Sequence, residues 1–124
     1  MKLTENFSLH EFNCKDGTPV PEQFYPNVKE LANNLQIIRD YIKEPLLISG
    51  SGYRTKSHNS KVGGAPKSQH LTASAADITA NGYTPKELAA IIEKLIEKGR
   101  IKQGGLGVYP SFVHYDIRGI KARW

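Results

Sequence analysis

The chain has 124 residues, 39% of them hydrophobic and 23% charged, with a formal net charge of +5 and a single cysteine, Cys14. That is the length of one domain with a real core and the composition of ordinary globular material. It excludes an internal disulfide, and no run of about 20 apolar residues is present to cross a membrane as a helix. The basic excess attracts anionic partners such as nucleic acid, anionic membrane or acidic wall polymer, or is simply a solvated surface.

The N-terminus, MKLTENFSLHEF, has no apolar core followed by a small-residue cleavage site. It does not read as a signal peptide, so synthesis in the cytoplasm is expected. Ser8 with Glu11 three residues on forms a capping box for a short helical turn. Residues 15–21 (KDGTPVP) read as a loop, and Cys14 before them as a packed apolar residue, a ligand or a nucleophile.

Residues 27–43 give the clearest helix. Val28, Leu31, Leu35, Ile38 and Ile42 fall on one face of a 3.6-residue period, Asn27 caps, and Pro45 stops it. LLISG (46–50) predicts a short buried strand. Residues 51–69, rich in Ser, Gly, Asn and Lys, predict a long functional loop. HLTASAADIT (70–79) leads into a second strand, in which Ala75, Asp77 and Thr79 share a face and small neighbours leave Asp77 accessible.

Thr84, Pro85 and Glu87 make a strong helix start, with Leu88, Ile91, Ile92, Leu95 and Ile96 as the buried face and Gly99 as the stop. Gly104, Gly105 and Gly107 predict a turn. FVHYDI (112–117) predicts a third strand with Phe112, His114 and Asp116 on one face. The expected architecture is a single α+β domain over residues 1–124, with a small antiparallel sheet packed against helices.

His70, Asp77 and His114 are the candidate metal ligands. Catalytic zinc takes three protein ligands, commonly imidazole and carboxylate, and keeps a fourth position for water. By spacing alone the same residues also read as a loop histidine, a strand-end cap and a core histidine. FVHYDI adds weight: it puts two ionisable groups on a face that Phe112 marks as partly enclosed, and enclosed ionisable groups need partners.

The segment SQHLTASAAD (68–77) resembles the S-x-H-x-x-G-x-A-x-D signature of the zinc D-Ala-D-Ala carboxypeptidase family. That family groups with D-Ala-D-Ala dipeptidases, phage L-alanyl-D-glutamate endolysins and the Hedgehog domain. FVHYDIRG (112–119) is similar to its second signature, and SGYR (51–54) to its arginine segment. The resemblance implies a Hedgehog/D,D-peptidase-like zinc fold and a zinc metallopeptidase acting on peptidoglycan stem peptides, as a D,D-carboxypeptidase or an endolysin-type endopeptidase.

Carried over position by position, it implies Zn2+ on His70, Asp77 and His114, with Arg54 steadying a substrate carbonyl or carboxylate and Ser68 touching either a metal ligand or the substrate. His58, in the long loop, is a further candidate for touching substrate, or an exposed polar residue. Ala73 stands where the signature has glycine. Ser111 stands where many members carry the acidic general base, and a hydroxyl is a poor base near neutral pH. Asp116 is then the best substitute for the base; its other readings are a hydrogen bond orienting His114 and a salt bridge to Arg118.

A peptidoglycan peptide substrate, no nucleic acid or membrane partner, a monomer, and release to the cell wall as a phage or prophage lysin complete the expectation. The alternative is a non-catalytic zinc-binding module on the same fold, favoured by Ser111.

Overall fold

The computed structural model describes Met1–Trp124. Five strands form one sheet in the order β1-β2-β4-β3-β5. They are β1 (Leu46–Ile48), β2 (Ala75–Ala80), β3 (Gly105–Val108), β4 (Val113–Asp116) and β5 (Ala122–Arg123). The helices are α1 (Tyr25–Ile42), α2 (Lys56–Lys61) and α3 (Pro85–Glu97). The class is α+β, as the sequence predicts, but the sheet is mixed: β5 pairs parallel with β3, while every other pairing is antiparallel.

Helix α1 is capped three residues earlier than the sequence pattern suggests, at Phe24 instead of Asn27. Pro26 sits in its first turn, where a missing N–H costs nothing. Asn27 is therefore not a cap, and its Nδ2 donates instead to the carbonyl of Thr72 at 3.0 Å. Its periodic face, Val28, Leu31, Leu35, Ile38 and Ile42, is buried. Helix α3 has the expected capping box, with Thr84 Oγ1 accepting from Glu87 N at 3.1 Å and Glu87 Oε1 accepting from Thr84 N at 2.9 Å. Its Leu88, Ile92, Leu95 and Ile96 are buried, and Ile91 packs partly buried at the edge.

These faces join the inward residues of the sheet, Ile78, Val113 and Tyr115 among them, in one cluster of 26 buried residues. Each aliphatic side chain of that kind is worth about 1.5–3 kcal/mol when fully buried. Truncation of Leu35, with no exposed surface, should cost about 2–5 kcal/mol.

Two loop expectations give way. The 51–69 stretch contains α2, whose first turn is capped by Thr55 Oγ1 accepting from His58 N. The glycine-rich 104–107 segment is not a turn but carries most of β3. Period-based reading misses both: α2 has no apolar stripe, and the glycines of β3 serve close approach, as the site makes plain.

Candidate metal centre

The central pairing of the sheet builds the site. Asp77 on β2 lies directly opposite His114 on β4 in the antiparallel register. Cross-strand partners bring their side chains to the same face about 5 Å apart at Cβ. His70 arrives from a short 3₁₀ turn, Gln69–Thr72, just before β2. Ser68 caps that turn, its Oγ accepting from His70 N at 3.2 Å. The turn ends at Ala73, whose φ of 58° is left-handed. An L-residue pays roughly 1–2 kcal/mol there, which explains why a glycine suits the position.

The structure thus brings His70, Asp77 and His114 together, all three buried. Asp77 is not the accessible group expected from its small neighbours, because it is enclosed by the two imidazoles and by the 50–54 segment. His70 Nε2 lies 3.4 Å and His114 Nδ1 3.3 Å from Asp77 Oδ1. Those separations are long for charge-assisted hydrogen bonds. They match tetrahedral ligands, which at about 2.0–2.1 Å from zinc lie about 3.3 Å from one another.

Both imidazoles are held from behind. His70 Nδ1 is 2.7 Å from the carbonyl oxygen of Gly52, which can only accept, so Nδ1 carries the proton and Nε2 presents its lone pair. His114 Nε2 is 2.7 Å from Asp116 Oδ2, leaving Nδ1 free on the Asp77 side. Outer partners of this kind fix tautomer and ring orientation in metal sites. Two imidazoles and a carboxylate, oriented in this way, fit zinc by donor chemistry and by the spacing of each ring nitrogen from Asp77.

Asp116 corrects an expectation. It shares the strand face of His114, yet its carboxylate lies behind the imidazole, with no exposed surface. Oδ1 accepts from Gly105 N, Arg118 N and Arg118 Nε, and Oδ2 accepts from His114 Nε2 and Arg118 Nη2. A carboxylate with both oxygens engaged and outside the cleft lining is poorly placed to take a proton from a reacting water. Asp116 orients His114 and pairs with Arg118 at once. Its neighbour Gly105 has to lack a side chain, because a Cβ there would sit 2.2 Å from Asp116 Oδ2.

The electrostatics follow from this packing. Burial alone would raise the Asp77 carboxyl, but the contacts from His114 and His70 outweigh it and hold it well below the usual carboxylate range. Asp116 is lowered likewise: burial opposes, and His114, Arg118 and the Gly105 amide prevail. Burial would lower the His114 imidazole, but Asp116 and Asp77 on either side raise it.

The three donors open onto a cleft of about 520 Å³. Arg54 lines it, with Nε donating to Ser51 Oγ at 2.9 Å, Nη1 to Asn59 Oδ1 at 3.1 Å, and Nη2 3.7 Å from Asp77 Oδ2. Ser68 also lines it, while His58 does not. The side chain of His58 instead neighbours Cys14 and Asp16. Ser111 is exposed and outside the cleft. No carboxylate other than Asp77 lines the cleft.

Lys67, Tyr109, Arg118 and Trp124, to which the sequence assigns no place in the site, also line the cleft. Tyr109 stacks on Phe112 at 4.5 Å and accepts from Trp124 Nε1 at 2.7 Å. Trp124 lies 4.9 Å from the His114 ring, with Arg118 over its face at 5.5 Å. The signal was Gly107, opposite His114 in the register. A Cβ there would meet Trp124 Nε1 at 2.4 Å, so this glycine makes room for the indole.

The family model described as Peptidase M15 matches residues 5–116. No curated protein and no solved structure matches the chain.

Proposed function

We propose that this chain, which belongs to the zinc-dependent M15 peptidase family, hydrolyses peptide bonds in the stem peptides of peptidoglycan, as a D,D-carboxypeptidase or an endolysin-type endopeptidase. The observation that carries the reading is the set of two imidazoles and one carboxylate, each ring nitrogen 3.3–3.4 Å from Asp77 Oδ1, in a cleft lined by Arg54, Lys67 and Arg118. Three cations suit a peptide rich in carboxylates, and stem peptides supply carboxylates along the chain and at its end.

His70 Nε2, Asp77 Oδ1 and His114 Nδ1 would hold the zinc. When bound, it supplies Lewis-acid polarisation of the scissile carbonyl and a water acidified to a pKa of about 7. The protein does the rest by position. Gly52 O and Asp116 keep the imidazole protons on the far side of each ring. Arg54, fixed by Ser51 and Asn59, keeps further donors of its terminal nitrogens for a developing oxyanion or a terminal carboxylate. Tyr109 and Trp124 form an aromatic wall against which a peptide backbone can lie. The substrate places the site of action at the cell wall, as for a phage or prophage lysin, and the protein acts as a monomer.

A second reading, a zinc module without catalysis, is favoured by one observation: the cleft offers no carboxylate beyond Asp77 to act as general base. Digestion of purified muropeptides, read by mass spectrometry, separates the two. Cleavage lost with chelator and restored by zinc is expected, and the product masses identify the bond. A protein that holds one zinc yet cleaves no stem peptide would establish the second reading.

A further inference from the structure

A second group of donors lies outside the cleft. Cys14, Asp16 and His58 each offer a ligand atom, and these atoms all lie within 4.8 Å of one another. Nothing in the proposed chemistry uses them. Cys14 is buried, His58 half-buried and Asp16 exposed, so the group runs from the core edge to solvent.

The backbone around it is held in place. Asp16 Oδ1 accepts from Thr18 N at 2.9 Å, and Asp16 Oδ2 accepts from Thr55 Oγ1 at 2.8 Å. Cys14 N donates to Thr18 O at 2.9 Å. His58 sits in the first turn of α2, capped by the same Thr55. Two chain segments about 40 residues apart therefore present a thiol, a carboxylate and an imidazole to one point.

We propose that Cys14, Asp16 and His58 form a second transition-metal site, of the zinc class, distinct from the His70–Asp77–His114 centre. A thiolate with an imidazole and a carboxylate is a donor set that selects zinc over the hard cations, which prefer all-oxygen ligands. Zinc ligands of this mix stand roughly 3.3–3.8 Å apart around the ion. The ligand atoms already lie within 4.8 Å of one another, and the half-buried His58 and exposed Asp16 side chains close on the ion as it binds, Asp16 exchanging its Thr55 hydroxyl for the metal. Binding releases the thiol proton to solvent, because the thiolate is the ligand.

The location gives such a site a purpose. Tyr53 N donates to Phe12 O at 2.8 Å, so the N-terminal segment already lies against the 52–55 stretch. That stretch supplies the Gly52 carbonyl that fixes His70 and carries Arg54. A metal joining Cys14 and Asp16 to His58 clips the N-terminal segment across the strand of backbone that orders the cleft.

Cobalt(II) titration of metal-free protein tests the proposal without reference to activity. Cys14 is the only cysteine in the chain, so a thiolate-to-cobalt charge-transfer band in the near ultraviolet can arise only at this site. The expected result is two equivalents bound, with that band. His70→Ala should lose one equivalent and keep the band. His58→Ala, which leaves the buried thiol and the core intact, should weaken the binding that produces the band at least tenfold, and Cys14→Ser should abolish the band. Binding of a single equivalent without the band, or a band of unchanged affinity in both His58→Ala and Asp16→Ala, would overturn the proposal. Because the band reports sulfur ligation alone, its absence leaves the catalytic centre untouched, and failure of that centre leaves the band in place.

Discussion

The two sides of the His114 imidazole carry the same chemistry and do different work. On one side Asp77 stands 3.3 Å from Nδ1 and lines the cleft; on the other Asp116 stands 2.7 Å from Nε2, fully buried and outside the cleft lining. Both carboxyls are buried and both are held well below the usual carboxylate range by the histidine between them. What separates them is what else each touches. Asp77 has a second imidazole at ligand spacing and an open cleft beyond it. Asp116 has an arginine fork and two backbone amides, which saturate it. Charge and strand face alone therefore do not assign a carboxylate its role; the remaining lone pairs do.

The comparison breaks most visibly on the cleft side. His70→Ala, Asp77→Ala and His114→Ala should each empty the centre of zinc and lower turnover of a muropeptide by ~10³-fold or more, the several kcal/mol that a Lewis acid contributes. Metal analysis of the purified variants, read with the signal of any Cys14 site subtracted, checks this, and full occupancy of the centre in all three would undo the assignment. Arg54→Ala should come next. It leaves zinc in place but raises the barrier by about 2–4 kcal/mol, roughly 30- to 1000-fold, the range for loss of one oxyanion donor. Turnover equal to that of the parent protein would reduce Arg54 to a charge at the cleft wall.

The smallest effect is on stability against pH, measured as Tm of the metal-free protein. His114 is raised in the fold, so the stability it contributes is fully present below its ordinary pKa of 6.5 and is lost as pH climbs through the raised value. Asp77 and Asp116 are lowered, so theirs is fully present above 3.8 and is lost as pH falls through the lowered values. Metal-free protein should therefore be most stable between about 3.8 and 6.5, falling by a few degrees on either side. Zinc competes with protons for the imidazoles, so loading should move the optimum above that window. An optimum that stays put on addition of zinc would mean that the histidines are not its ligands.

Much of this arrangement was legible in the sequence, and the parts that were not have physical reasons. The helix faces of α1 and α3 could be read because 3.6-residue periodicity and capping boxes are local. Asp77 and His114 could be placed on strands because alternation is local too. That they meet is a matter of register, which the family resemblance supplied and periodicity could not. The place of Asp116 behind the His114 ring was not legible, because sequence shows which face a residue shares and not which donors its oxygens satisfy. Gly105 and Gly107 read as turn formers, although they are strand residues that make room for Asp116 and Trp124. The α2 helix escaped notice because six polar residues carry no stripe. His58 was drawn to the cleft by loop proximity, whereas the fold turns it toward Cys14.

The central claim is that Asp116 supports a metal ligand and does not take the proton of the reaction. Zinc affinity and turnover of Asp116→Asn, measured together across a zinc titration, test it most directly. The substitution keeps the shape of the side chain but weakens its hold on His114 Nε2. Affinity of the centre should fall about 10- to 100-fold, the usual worth of an outer-shell partner, and kcat should recover most of its parent value once zinc is in excess. Unchanged zinc affinity with kcat lowered by about 10²–10⁴-fold at saturating zinc, the signature of a lost general base, would contradict the account and return Asp116 to the chemistry.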